Sequence, residues 1–278
     1  MPKFAIQFAF DGTDFCGWQV QRGVGSHQNP KPSLEGSFVS AIRDVCEETV
    51  NVVASGRTDA GVHGSGQVAH FTLDSSKHDT QNLLRALNRA LPPSIQIHHL
   101  SEAPVDFSAR QAIRKQYSYY FQQGPSNLPH LKKYTMWNRQ ILDGELMQEG
   151  IQHLIGKHDF IPFGSASANV ASTIREIHEA EVTRESIPLP GCFDAEQQFL
   201  WRVRIVGSGF LMHMMRSIAG TLKQIGEERR PPSDIAHILE TKDRQLAGPT
   251  APASGLWLDQ VWFHSDAGVT FLEPLPFT

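Results

Sequence analysis

The sequence predicts an α+β fold in two tandem halves. In the first hundred or so positions, apolar residues switch between strand-like alternation and helical spacing in the order β-α-β-β-α-β. The same order returns in the remainder. The chain has 278 residues, enough for two such units, and its 40% hydrophobic and 19% charged residues describe an ordinary globular protein. A unit with this order is ferredoxin-like, or RRM-like. The expectation is therefore two ferredoxin-like halves, 1–105 and 106–263, whose sheets meet at a central cleft, and a tail at 264–278.

In the first half, Phe4, Ile6, Phe8 and Phe10 alternate with smaller or polar residues and read as a strand, closed by Asp11-Gly12-Thr13-Asp14. Gly17-Trp18-Gln19-Val20-Gln21 follows. Residues from Arg22 to Pro32 have turn composition and no period. Leu34, Phe38, Ile42 and Val45 recur at helical spacing, with Ser33 as N-cap. Val50–Ser55 and Gln67–Phe71 read as two strands around a long loop. Leu83, Leu84, Leu87 and Leu91 give a second helix, stopped by Pro92-Pro93. Ile95, Ile97 and His99 give a closing strand.

The second half opens with alternating Tyr117, Tyr119 and Phe121. A helix is expected around Leu146, Ile151, Leu154 and Ile155, then strands at Ile174–Thr183 and Phe199–Val206. Leu211, Met214, Met215, Ile218, Leu222 and Ile225 form a helical stripe, and Leu256, Leu258 and Val261–Phe263 a last strand. Pro162–Ser172 and Ala247–Gly255 read as loops and Glu185–Gln198 as a hairpin tip.

Cys16, Cys46 and Cys192 are scattered and odd in number, which fits a reducing compartment. The thirteen histidines contain no H-E-x-x-H and no Cys/His cluster, so no metal site is expected. No apolar run approaches the ~20 residues of a membrane span. Met1-Pro2-Lys3 runs straight into a strand, without a signal peptide. The expected location is the cytoplasm. The formal net charge of −4 argues weakly against a nucleic-acid partner. Basic residues nevertheless group locally, at Arg110/Arg114/Lys115, Lys132/Lys133/Arg139 and Arg202/Arg204/Arg216.

The stretch most suggestive of chemistry is Gly56-Arg57-Thr58-Asp59-Ala60-Gly61-Val62-His63-Gly64-Ser65-Gly66. Glycines at 56, 61, 64 and 66 permit close backbone approach. Arg57 stands two residues before the carboxylate of Asp59. Such a pair can simply stitch a turn. A long glycine-framed loop between two strands points instead to an active-site loop, without naming a reaction.

GRTDAGVH, residues 56–63, resembles the signature loop of the TruA-type tRNA pseudouridine synthases. Eight consecutive matches make it a specific signal. Gly17-Trp18-Gln19-Val20-Gln21 resembles the family's GWQ-x-Q, and Lys115-Gln116-Tyr117-Ser118-Tyr119 its basic-x-Y-x-Y strand. Gly209–Arg216 resembles its arginine-bearing helix, Gly255-Leu256-Trp257-Leu258 its last motif, and Phe107-Ser108-Ala109-Arg110 its F-x-A-R segment. The resemblance runs from about Phe4 to Phe263. Two departures stand out. Gln111 replaces a common aromatic, with the stretch to Tyr117 one residue short, and the usual Val-Gln pair before Ser33 is missing.

The resemblance implies that Asp59 is the catalytic aspartate and that Arg57 fills the space left when a stacked uridine is flipped out. It implies that Tyr117 stacks on the flipped uracil, leaving Tyr119 as core. Arg216, beside an apolar stripe where a charge needs a partner, is the second catalytic residue, and Asp59 is its expected counterpart. Leu256 is implied to line the uracil pocket, although its position suits a core residue nearly as well. Phe107, Arg110 and Lys115 are implied to bind RNA. The expected substrate is the anticodon stem-loop of tRNA at uridines 38 to 40, with no cofactor and no metal, in a homodimer with no membrane association. Two other readings fit the residues: an Asp-dependent phosphate-ester enzyme, and a non-catalytic RNA-binding protein with RRM-like halves.

Overall fold

The computed structural model describes residues 1–19, 31–74, 79–165, 170–187 and 198–272. It divides into two compact units, 1–113 with 258–278, and 114–257.

The first unit is built on β1 (Lys3–Phe10), α1 (Leu34–Cys46), β2 (Val53–Ala54), β3 (His63–Thr72), α2 (Thr80–Ala90) and β4 (Ile95–Ala103). This is the expected β-α-β-β-α-β order. β1 runs antiparallel to β3, with Phe4 opposite Phe71, and to β4, with Ile6 opposite Leu100; β2 adds to β3. Alternation along β1 sends Phe4, Ile6 and Phe8 into one core with Phe38 and Ile42 of α1 and Leu83 and Leu87 of α2. Phe8 and Phe38 meet edge to face at 4.7 Å. Deleting the Phe38 ring would cost about 3–5 kcal/mol. Ser33 caps α1 as expected, its Oγ accepting from Gly36 N at 3.0 Å. Asp79 caps α2, which ends at Ala90, two residues before Pro92.

One expectation about this unit needs correction. The loop between β2 and β3 ends at Val62, so Gly64 and Gly66 belong to the strand. They are small because neighbours press on them: a Cβ at Gly64 would lie 2.5 Å from the Phe10 ring, and one at Gly66 2.2 Å from the Asp259 carbonyl oxygen. The described part of the tail also packs on this unit. Gln7 exchanges two hydrogen bonds with the Leu272 backbone, at 2.8 and 2.9 Å, and Phe271 packs against Phe107, Phe263 and His99.

In the second unit, β5 (Arg114–Gln123) is followed by β6 (Met136–Asn138), α3 (Gly144–Gln152), β7 (Gly156–Asp159), β8 (Ile174–Glu185), β9 (Phe199–Gly207), α4 (Met214–Gly226) and α5 (Asp234–Thr241). The strand order is β5-β9-β8-β7, with β6 parallel to β5. The alternating residues of β5 and β9, the stripe of α4, and Met147 and Ile151 of α3 supply buried side chains. Sequence reasoning missed β6, β7 and α5, whose runs of three to eight residues are too short for a period to register. It also ran two helices too long. α3 stops at Gln152, short of Leu154 and Ile155, and α4 starts at Met214, behind Leu211. The break before α4 is His213, whose φ of 66° is left-handed. The last strand, β10 (Leu256–Trp262), starts in the second unit and from Leu258 onward belongs to the first.

Cys16 and Cys46 are free thiols; Cys192, most of the expected hairpin tip and Val20-Gln21 lie outside the described residues. Among the described residues no helix is long and apolar enough to cross a membrane, and no group of three His, Cys, Asp or Glu gathers as a metal site.

Candidate active site

The loop carrying Arg57 and Asp59 is held at both ends by buried polar contacts. At its start, Ser55 N–H donates to the Val68 carbonyl at 2.8 Å. The fully buried Gln67 side chain then reaches across from β3. Its Nε2 donates to the Gly56 carbonyl at 2.9 Å, and its Oε1 accepts from Ser55 Oγ at 2.6 Å and from Val68 N at 3.1 Å.

At the far side the loop meets the residues of the Gly-Trp-Gln motif. Gly17 and Asp59 form an antiparallel bridge, and Trp18 N–H donates to the Thr58 carbonyl at 3.1 Å. Gly17 has φ +104°, and a Cβ there would stand 2.6 Å from the Thr58 oxygen. Only glycine satisfies both constraints. Val62 N–H donates back to the Asp59 carbonyl at 3.2 Å, and Gly12 N–H donates to the buried His63 Nδ1 at 3.2 Å. Two motifs forty residues apart in the chain thus form one structure, with Asp59 half-buried and Arg57 exposed.

Arg57 and Arg110 share a cleft of about 500 Å³ with Trp18, Gln19, Glu35 and Asn51. Arg110 lies on a short turn, Ala109–Gln111, anchored from behind. Ala109 N–H donates to His70 Nδ1 at 3.1 Å, and Lys3 Nζ donates to the Phe107 carbonyl at 2.7 Å. Phe107, expected to bind RNA, is only 3% exposed and packs on His70, Phe263 and Phe271. Its ring anchors the turn from inside the unit. Burial draws His70 down to about 4, with Lys3 and Arg110 adding to the effect, so the ring is neutral and free to accept.

In the second unit, Tyr117 is 7% exposed and meets Phe210 edge to face at 4.9 Å. Tyr119 is fully buried and donates from its hydroxyl to the Pro252 carbonyl at 2.9 Å. Burial pushes that hydroxyl's pKa upward, and nearby Arg216 partly opposes the shift. Arg216 Nε donates to the Ala251 carbonyl at 2.8 Å, while Ala251 N–H donates to the Arg216 carbonyl at 3.0 Å. Helix α4 and the 244–255 loop are pressed together here. A Cβ on Gly220 would stand 1.8 Å from the Pro249 oxygen. Leu256 is buried. Lys115 is partly buried, and burial together with Arg175 draws its ammonium down to about 8.

The basic group at 202–216 does not act as one patch. Arg202 pairs with Glu185 at 3.2 Å, and Arg204 with Glu179 at 2.7 Å and Glu181 at 3.1 Å, all across neighbouring strands. The acidic stretch of β8 neutralises the arginines of β9, and Arg216 stands apart from both on α4. Sequence reasoning also missed Gln67. The signal available was an amide set directly before Val68 and Ala69 in a strand, where an unbonded buried polar group would be costly.

A carboxylate fixed by backbone clamps on a ferredoxin-like unit, in the same loop as one of two arginines that share a cleft, has the parts of an enzyme site and not of a plain turn. Comparison with known proteins makes this specific. The chain belongs to the tRNA pseudouridine synthase family, whose model matches residues 6–110 and 151–264. It is 39% identical over 260 residues to the tRNA pseudouridine synthase A of Geobacillus kaustophilus, covering 93% of each chain. With the protein of that name from Bdellovibrio bacteriovorus it is 36% identical over 276 residues, covering 98% of each. The one from Limosilactobacillus fermentum is 37% identical over 268 residues, covering 96% of this chain and 98% of the other. The phosphate-ester and non-catalytic readings fall with this assignment.

Proposed function

We propose that the chain isomerises uridine to pseudouridine in the anticodon stem-loop of tRNA, at positions 38 to 40, as a cytoplasmic homodimer. The N1–C1′ bond of the uridine breaks and a C5–C1′ bond forms. The C5 proton goes to solvent and N1 takes one up, so atoms and electrons balance without an oxidant, a group donor or a metal. What the protein must supply is a nucleophile or charge stabiliser, a hold on the detached uracil, and a site closed to competing water.

Asp59 is assigned the first task, and the observation that carries the assignment is its fixed backbone, bridged to Gly17 on one side and returned to Val62 on the other. Arg57, exposed at the rim of the cleft, is suited to occupy the gap left by the flipped base; Arg110, in the same cleft, suits a neighbouring phosphate. Tyr117 backs the uracil with Leu256, and Phe210 sets the plane of the Tyr117 ring. Arg216, braced through Ala251, is the second catalytic residue. Lys115 adds charge for RNA, and Phe107 contributes by anchoring Arg110.

The test is tritium release from tRNA labelled at uridine C5, followed by mapping of the product. The wild-type chain should release tritium in buffer containing EDTA, with pseudouridine at positions 38 to 40. Asp59→Asn and Asp59→Ala should bind tRNA but release none. Near-normal single-turnover rates in Asp59→Asn would withdraw the role of Asp59, and pseudouridine elsewhere in the tRNA would withdraw the specificity. Light scattering should give twice the chain mass; a monomeric mass overturns the dimer.

A further inference from the structure

We infer that Gln67 is a positioning residue for the catalytic loop, setting the path of the chain from Gly56 through Arg57 to Asp59. The inference rests on the function proposed above. Gln67 is fully buried, and a buried amide costs several kcal/mol unless it is hydrogen-bonded. Here it is well used: Nε2 donates to the Gly56 carbonyl, and Oε1 accepts from Ser55 Oγ and Val68 N–H. The partners also settle the orientation of the amide. The Val68 N–H can only donate and the Gly56 carbonyl can only accept, so the flipped amide would put donor against donor and acceptor against acceptor.

The position of these bonds gives them their consequence. Gln67 fixes the carbonyl of Gly56, and Trp18 and Gly17 fix the backbone at Thr58 and Asp59. Arg57 is the one residue between the two fixed points. Releasing the Gly56 end therefore frees the segment that aims both the flipping arginine and the catalytic carboxylate. A displacement near 1 Å at a reacting group can lower a rate about 100-fold. Gln67 itself, buried behind the loop, touches no substrate.

The prediction is a loss in kcat without a matching loss in binding. Gln67→Met keeps the shape and removes all three bonds; its single-turnover rate should fall about 10- to 100-fold, with tRNA Kd within about threefold of wild type. Ser55→Ala removes one bond and should lose less. Gln67→Glu supplies a signature that lost stability alone would not produce. Ionised, the carboxylate cannot donate to the Gly56 carbonyl; protonated, it donates there and accepts on its other oxygen. Its rate relative to wild type should therefore climb as the pH is lowered from 8 to 6, measured where circular dichroism shows both proteins folded. A Gln67→Met rate within twofold of wild type overturns the inference, as does a pH-independent ratio for Gln67→Glu. If Gln67→Met does not fold, Ser55→Ala and the Gln67→Glu ratio decide. A wild type that releases no tritium sinks the function and the inference with it; an active wild type matched by its variants sinks the inference alone.

Discussion

His70 shows how a single side chain ties the fold to pH. Its ring accepts from Ala109 N–H and is held neutral by burial, with a folded-state value of about 4. In the unfolded chain a histidine titrates near 6.5. The folded value is depressed, so the unfolded state binds the extra proton first. The stability associated with His70 is complete above about pH 6.5 and is lost progressively as the pH falls toward 4. Urea titrations at stepped pH should show this decline in wild type and a flatter one in His70→Asn, whose amide oxygen can still accept. Parallel curves would remove His70 from the account. Arg216 makes a second test at this scale. Lysine retains the charge but not the planar fork that reaches Ala251 while facing elsewhere. Arg216→Lys should lower kcat by about tenfold or more and leave tRNA affinity nearly unchanged. If Arg216 and Asp59 serve one chemical step, Arg216→Ala should, like Asp59→Ala, keep tRNA binding while losing turnover; a loss in binding alone would separate their roles.

At the scale of elements, two close approaches shape the proposed site. The 17–18 segment lies against the Asp59 loop, and Gly17→Ala brings both a left-handed backbone strain and a contact of 2.6 Å with the Thr58 oxygen. Because a Cβ has no rotamer to change and the atom it meets is a backbone oxygen, no side-chain movement relieves the contact. Activity should fall further than stability, as read by single-turnover rate against urea midpoint; equal and slight losses of both would mean the loop tolerates the shift. Helix α4 presents the other approach. It is buried on nearly all sides, and Gly220 lets the Pro249 carbonyl come close enough for Ala251 to brace Arg216. Gly220→Ala should cost about 1–3 kcal/mol through overpacking and lower kcat with it.

For the whole molecule, the segment after β10 is the untested structural member. Phe271 joins Phe107 and Phe263, and Leu272 is paired to Gln7 of the first strand. Removing residues 264–278 uncovers aromatic surface and should reduce stability by roughly 2 kcal/mol, about the value of one buried large side chain. It should also weaken tRNA binding more than it lowers kcat, since Phe107 anchors the turn that carries Arg110. An unchanged urea midpoint would show that the tail adds nothing to the fold.

What the sequence determined by itself was whatever is written locally. A period of two or of 3.6 sets which face of β1, β5, α1 or α2 is apolar, and Ser33 announces its helix by the residues beside it. GRTDAGVH was legible as a candidate site because its signal is contiguous. Tertiary structure decided what depends on partners distant in the chain. Gly64 and Gly66 read as loop residues until Phe10 and Asp259 press on them. Arg202 and Arg204 read as a basic patch until β8 brings its glutamates across. Phe107 read as a surface contact until the tail covers it, and Gln67 carried no role until the strand placed it under Gly56. Local spacing specifies a face; only the folded chain specifies what meets that face, because strand pairing joins residues whose separation along the chain leaves no periodic trace.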